Sequence, residues 1–149
     1  MQILKKGVEK GIKNYILHSA GFSEVGEEGK ELAKKVKAFA KKHQLNILGL
    51  NSLGFFNTKI SLNNTFTNID SNPGGLSFIS QSGAFISVLM DWALEKNIGL
   101  DLAVSLGNKL ILDETDILRY LKNRDETKVI AVYLESFKRG KEFLKLANQ

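Results

Sequence analysis

From Leu76 onward the chain alternates short apolar runs with stretches of helical period, and that alternation restricts it to very few folds. The runs are Leu76 to Ile79, Leu102 to Leu106 and Val129 to Leu134. Between them, Phe85, Val88, Leu89 and Trp92 recur at helical spacing, as do Ile117, Leu118 and Leu121, and Phe143, Leu144 and Ala147 open a third such stripe. A strand that reaches its neighbour through a helix does so by a right-handed crossover and lands parallel to it. The pattern therefore predicts an α/β fold with a parallel sheet.

The first half carries the same grammar in a shorter form. Residues 2–10 read as a helix with Ile3, Leu4 and Val8 apolar and Gly11 as its stop. Tyr15 to His18 reads as a short buried strand, and Gly21 to Gly26 as a glycine-punctuated loop. Leu32, Val36, Phe39 and Ala40 mark an amphipathic helix, followed by a strand at Ile47 to Leu50 and a turn at Asn51-Ser52-Leu53-Gly54. Residues 57–75 change character, being rich in Asn and Thr and holding the only proline, Pro73, before Gly74-Gly75. They read as a crossover that divides a unit at 1–56 from one at 76–149. Each unit has only two or three strands, so its sheet edges call for partners or further sequence, and self-association is expected.

Charge narrows the partners. The formal net charge of +5 owes much to Lys34, Lys35, Lys37, Lys41 and Lys42, which fall in the longest helix of the first half. Without interleaved aromatic residues or a recognisable reading module, they read as a solvated helix face, and no nucleic-acid partner is expected. The chain has no cysteine, which removes disulfides, thiolate metal sites and a cysteine nucleophile. No metal site is expected among its own residues. Its apolar runs fall well short of the roughly 20 residues of a spanning helix. Met1 to Lys6 lacks the apolar core of a secretory signal. The expectation is a cytoplasmic protein with no membrane contact.

In an open α/β sheet, ligands gather beyond the carboxyl ends of the strands. The loops there hold Ser80-Gln81-Ser82-Gly83, then Gly107-Asn108, then Glu135. A turn with two hydroxyls and a glycine, running into a helix, offers free N–H groups to an anion. A plain helix N-cap would account for the serines equally well, and a strand-end Glu can simply face solvent.

Longer stretches resemble a known family. Gly75 to Ala84, Ser105 to Asn108 and Thr127 to Glu135 look like the ligase region of ADP-forming acetyl-CoA synthetases, members of the succinyl-CoA synthetase superfamily. Ala20 to Gly29 and Gly49 to Gly54 resemble the second half of that family's CoA-binding domain. The likeness runs in register along nearly the whole chain, as the central part of an α-type subunit. It implies a partial Rossmann-like CoA-binding unit followed by a partial flavodoxin-like ligase unit. The implied chemistry joins a small carboxylic acid to CoA through an acyl phosphate and a phosphorylated histidine, with ATP and ADP.

By the same resemblance, the N–H groups of Ser82, Gly83 and Ala84, the hydroxyls of Ser80 and Ser82, Gln81 and Asn108 would bind the phosphate of that histidine. Glu135 would pair with its imidazole, and Ser19, Ala20, Gly21 and Glu24 would belong to a partial CoA site. ATP or ADP with Mg would enter through a nucleotide-grasp domain or β-type subunit outside this sequence. The family's CoA loop would precede Met1 and its phosphorylated histidine would follow Gln149, so the chain is expected to be inactive alone. A non-catalytic CoA- or phosphate-binding module, an assembly module and a truncated gene product are the alternatives.

The chain also departs from the family pattern. Leu50 replaces a turn proline, Ile111 stands where an acidic residue is common, and Asn123-Arg124-Asp125 replaces Asp-Asp-Pro. The succinyl branch has a substrate-contacting tyrosine near the position of Ser87, which argues for a different acid. His18 is expected to pack in a core and His43 to face solvent.

Overall fold

The structure is a computed structural model that describes residues 1–67 and 71–149. Helix α1 (Gln2–Glu9) leads through a turn at Gly11 into strand β1 (Asn14–Leu17). A short 3-10 turn at Ser23–Val25 precedes helix α2 (Glu27–His43), and strand β2 (Asn46–Gly49) follows. Glu27 and Glu28 sit in the first turn of α2 and Lys41, Lys42 and His43 in the last, complementing the helix dipole at both ends. Strands β1 and β2 pair in parallel, and Leu4, Val36, Ala40, Leu45 and Ile47 form the small core beneath them.

The second sheet has five strands: β3 (Gly54–Asn57), β4 (Leu62–Thr65), β5 (Pro73–Ser80), β6 (Leu100–Ser105) and β7 (Val129–Tyr133), in the order β4-β3-β6-β5-β7. Strands β5, β6 and β7 are parallel as expected. Strand β6 is buried along its whole length, which is why its sequence reads as a continuous apolar run broken only by Asp101 and Ser105. Helix α3 (Gly83–Glu95) covers one face through Ile86, Met90 and Ala93. Helices α4 (Glu114–Leu121) and α5 (Gly140–Ala147) cover the other, where Leu118 and Leu121 meet Ile79, Leu102 and Val104.

Three expectations need correction. The stretch read as a crossover contains strand β4, and β3 just before it runs antiparallel to both β4 and β6, so the sheet is mixed rather than parallel. Phe56 joins the core under α3 and Phe55 the core on the opposite face. Strand β4, Leu-Asn-Asn-Thr, is an exposed edge with almost no apolar signal. Residues 68–70 of that stretch lie outside the described residues.

The stripe on α3 is also displaced. Val88 is 66% and Trp92 46% exposed, while Ile86, Met90 and Ala93 are buried. The helix is apolar on all sides, so periodicity alone cannot choose the inward face. On α2, Ala33 is inside with Val36 and Ala40, and Leu32 is left 38% exposed. Finally, His18 lies just past β1 and is exposed rather than packed in a core.

Two buried carboxylates brace the second unit. Burial alone would raise the Asp101 carboxyl, but hydrogen bonds from the Arg124 guanidinium, from Thr127 Oγ1 at 2.6 Å and from Ser77 Oγ at 3.3 Å outweigh it, and its pKa lies below the usual value. Asp113, which caps α4, is held low against the same burial penalty by Arg139 at 2.5 and 2.9 Å and by the Thr115 N–H at 2.9 Å. A carboxylate depressed in the folded state stabilises the fold above its unfolded pKa of about 4 and loses that contribution as the pH falls through the folded value. The urea midpoint is therefore expected to fall steeply below pH 4. The Asp101→Asn variant should flatten that slope at a lower overall stability, and an unchanged slope would refute the assignment.

Candidate functional site

The loops at the carboxyl ends of β2, β5, β6 and β7 surround a polar cavity of about 500 Å³. Gln81, Ser82, Gly83, Ala84, Asn108 and Glu135 all line it, so the structure gathers the three predicted loops in one place. Ser80 does not line it. Its side chain is fully buried, its Oγ donating to the Ser82 carbonyl at 2.7 Å and accepting the Ser82 N–H at 3.0 Å.

That inward hydroxyl closes the turn and occupies the Ser82 N–H. The Ser82 Oγ in turn caps α3 by accepting the Phe85 N–H at 3.3 Å. The Gly83 and Ala84 N–H groups are the first-turn donors of α3 that meet no acceptor among the described residues. A helix N-terminus with two such donors suits an anion. Ser82 thus caps the helix while the N–H groups of the next two residues remain available.

Gln81 and Asn108 act as braces. The Gln81 N–H donates to the Tyr133 carbonyl at 2.9 Å, and its side-chain carbonyl accepts the Glu135 N–H at 3.1 Å, locking the loop after β7 to the turn after β5. The Glu135 side chain remains exposed on the cavity wall. Asn108 Nδ2 donates to Glu24 Oε2 at 2.9 Å, joining the loop after β6 to the first unit. Glu24 Oε1 accepts the N–H groups of Gly21 at 2.7 Å and Phe22 at 3.2 Å. Its pKa is lowered chiefly by its own backbone N–H, against slight desolvation, with Phe22, Gly21 and Asn108 adding to the effect.

Glu24 is thereby consumed within the protein. Of the residues assigned to CoA, Ser19 and Ala20 are exposed, and Gly21 has open space where a Cβ would stand, with φ at +95°. Those three leave room for a ligand to approach the backbone, whereas Glu24 shapes the loop they stand on.

Sequence reasoning missed several parts of the cavity wall and one residue behind it. Asn51, Ser52 and Leu53 follow β2 at its carboxyl end, where the strand-end rule already pointed. Phe66 carried no signal. Its ring meets His18 edge-on with centroids 6.0 Å apart, and His18 also lines the cavity. Lys109 is buried behind the wall, 3.0 Å from Glu114 and donating to the Ser136 carbonyl at 2.5 Å.

Among the described residues no helix is long and apolar enough to cross a membrane. Residues 73–149 match the sequence family described as the succinyl-CoA ligase like flavodoxin domain. An ADP-forming acetate–CoA ligase of Methanocaldococcus jannaschii is 42% identical over 148 residues, covering 99% of this chain and 21% of the relative. The alpha subunit of ADP-forming acetate–CoA ligase I of Pyrococcus furiosus is 40% identical, covering 99% of this chain and 32% of the relative. Acetyl-coenzyme A synthetase 1 of Candidatus Korarchaeum cryptofilum, solved in complex with phosphate and ADP, superposes with a TM-score of 0.92 at 34% identity, over 98% of this chain and 32% of its own. The chain thus spans about a fifth to a third of the length of these relatives.

Proposed function

The chain belongs to the family of the succinyl-CoA ligase like flavodoxin domain, and on that footing we propose that it forms the receiving half of a phosphohistidine pocket in an ADP-forming acid–CoA ligase. The observation that carries this reading is the convergence of the Gly83 and Ala84 N–H donors, the braced Asn108 and the Glu135 carboxylate on one cavity. Preorganised donors of this kind stabilise the charge of a phosphoryl group in transfer without reorganising as it moves. Glu135, facing a histidine brought in from outside these residues, would orient its imidazole and favour its charged form.

On this reading residues 1–56 supply part of a CoA site through Ser19, Ala20 and Gly21, and residues 76–149 supply the phosphate pocket. CoA, when bound, supplies the thiol that accepts the acyl group, and ATP or ADP with Mg enters through a nucleotide-grasp domain or β-type subunit. The naming of one relative as an alpha subunit supports such a partner. So does the exposed face of Phe85, Val88 and Trp92 on α3, next to Tyr133, whose ring stacks on Phe85 at 4.7 Å. Cytoplasmic placement and activity only in company with a partner belong to the same proposal.

Isothermal titration tests it. Inorganic phosphate and CoA should each bind the 149-residue chain, while the chain alone should release no ADP from ATP, acetate and CoA. Binding of neither ligand would overturn the functional reading in favour of an assembly module. Turnover by the chain alone would overturn the dependence on a partner.

A further inference from the structure

The cavity wall contains an imidazole that the family resemblance does not use. His18 stands at the end of β1, 34 residues in sequence from Ser52, and its Nδ1 lies 3.0 Å from the Ser52 carbonyl oxygen. A carbonyl only accepts, so Nδ1 is the donor in that bond and carries a proton. The bond fixes the ring's orientation and leaves Nε2 without a partner among the described residues. Phe66 meets the ring edge-on, and Leu53, which a Cβ added to Gly83 would approach to 3.2 Å, lines the same cavity as His18 and Gly83.

We propose that His18 is a phosphate-contacting residue, presenting Nε2 to the anion held by the Gly83 and Ala84 N–H groups. This rests on the phosphate reading of the pocket and adds to it a contact from the first unit, so that both units grip the same ligand. Bare Nε2 can accept the proton of a hydrogenphosphate; protonated, it donates to a phosphate oxygen and contributes a positive charge. Either way the contact favours a terminal phosphate with a free oxygen edge.

The test exploits the geometry of two substitutions. Asparagine at position 18 places its amide nitrogen near the Nδ1 position and keeps the bond to Ser52, whereas glutamine reaches the Nε2 position. Inorganic phosphate is titrated into the ¹⁵N-labelled chain and its His18→Asn and His18→Gln variants, following the Gly83 and Ala84 amides and the His18 Nε2 resonance. In the parent protein, Nε2 should respond with the same midpoint as the two amides while His43 stays still. His18→Asn should bind phosphate about tenfold more weakly and His18→Gln within about twofold of the parent, as expected for one lost or kept hydrogen bond to a charged group.

Equal binding by His18→Asn and the parent, with both amides still responding, would overturn the role of His18 and leave the pocket standing. Equal losses in both variants would assign His18 to structure and overturn the proposal as well. No response at Gly83 and Ala84 in the parent would instead overturn the phosphate reading of the pocket, and the proposal with it.

Discussion

Replacing Lys109 by methionine is expected to destabilise the protein by about 3–5 kcal/mol, the loss that follows when one partner of a buried ion pair is removed. Lys109 is 1% and Glu114 0% exposed, with Nζ 3.0 Å from Oε2. The ammonium also donates to the Ser136 carbonyl at 2.5 Å, and Glu114 Oε1 accepts the Lys138 N–H at 3.0 Å. Methionine keeps the apolar stem but leaves Glu114 with a single backbone donor and the Ser136 carbonyl with none from position 109. The cost is that of an uncompensated buried carboxylate rather than of lost packing. Adding Glu114→Gln should therefore recover at least half of it, because the neutral amide carries a much smaller desolvation penalty.

Urea denaturation of the parent, both single variants and the double variant closes the cycle. A Lys109→Met loss below about 1 kcal/mol would place the pair in the range of a solvated one and refute this account. The site should feel the change too. Lys109 follows Asn108 and reaches the residue after Glu135, so the pair ties two of the pocket loops from behind.

The second large effect is expected at Gly107. Its φ of +54° is the left-handed conformation that costs a residue with a Cβ about 1–2 kcal/mol. A methyl group there would also overlap the Leu50 carbonyl oxygen and lie 2.5 Å from that of Asn51. Both obstacles are backbone, so no side-chain rotation relieves them, and Gly107→Ala is expected to cost about 3 kcal/mol or more, in the range of core overpacking added to backbone strain. Gly11, with φ +78° and none of the described residues within 4 Å of the added carbon, provides the control. Gly11→Ala should cost only the conformational part, about 1 kcal/mol. If thermal or urea unfolding shows the two variants equally destabilised, the close approach of the two loops is not what position 107 requires.

The close approach at Gly107 belongs to a seam between the two sheets. The N–H groups of Asn108, Leu110 and Leu112 donate to the carbonyls of Leu50 at 2.7 Å, Gly49 at 2.7 Å and Ile47 at 3.1 Å. The segment after β6 thus lies along β2 much as an added strand would. Ile111, where the family commonly has an acidic residue, packs against the core beneath β1 and β2. Ser52 Oγ donates to the Ser105 carbonyl at 2.6 Å, and Ser105 Oγ accepts the Leu53 N–H at 3.0 Å. These bonds explain how the two units come to share one cavity.

Much was legible from residue order alone. The parallel trio β5, β6 and β7, the helices between them and the three polar loops at their ends follow from apolar period and turn chemistry, both of which are local. The Ser80 to Gly83 turn was recognisable as the start of a helix for the same reason. Which serine lines the cavity was not, because that depends on burial: Ser80 is fully enclosed and spends its hydroxyl on the turn, while Ser82 caps α3 at the cavity.

Residue order by itself determined the α/β class, the parallel strands and the polar residues Gly83, Asn108 and Glu135 at their ends, which the fold brings to one cavity. Only the tertiary structure decided that β3 would pair antiparallel with β6, that α3 would turn Ile86 rather than Val88 inward, and that His18 would leave its strand for the cavity wall. Each of these depends on surfaces brought together from distant parts of the chain. A local pattern records which residues tend to be buried, but the face they are buried against, and the donors and acceptors they meet there, exist only once the two sheets are joined.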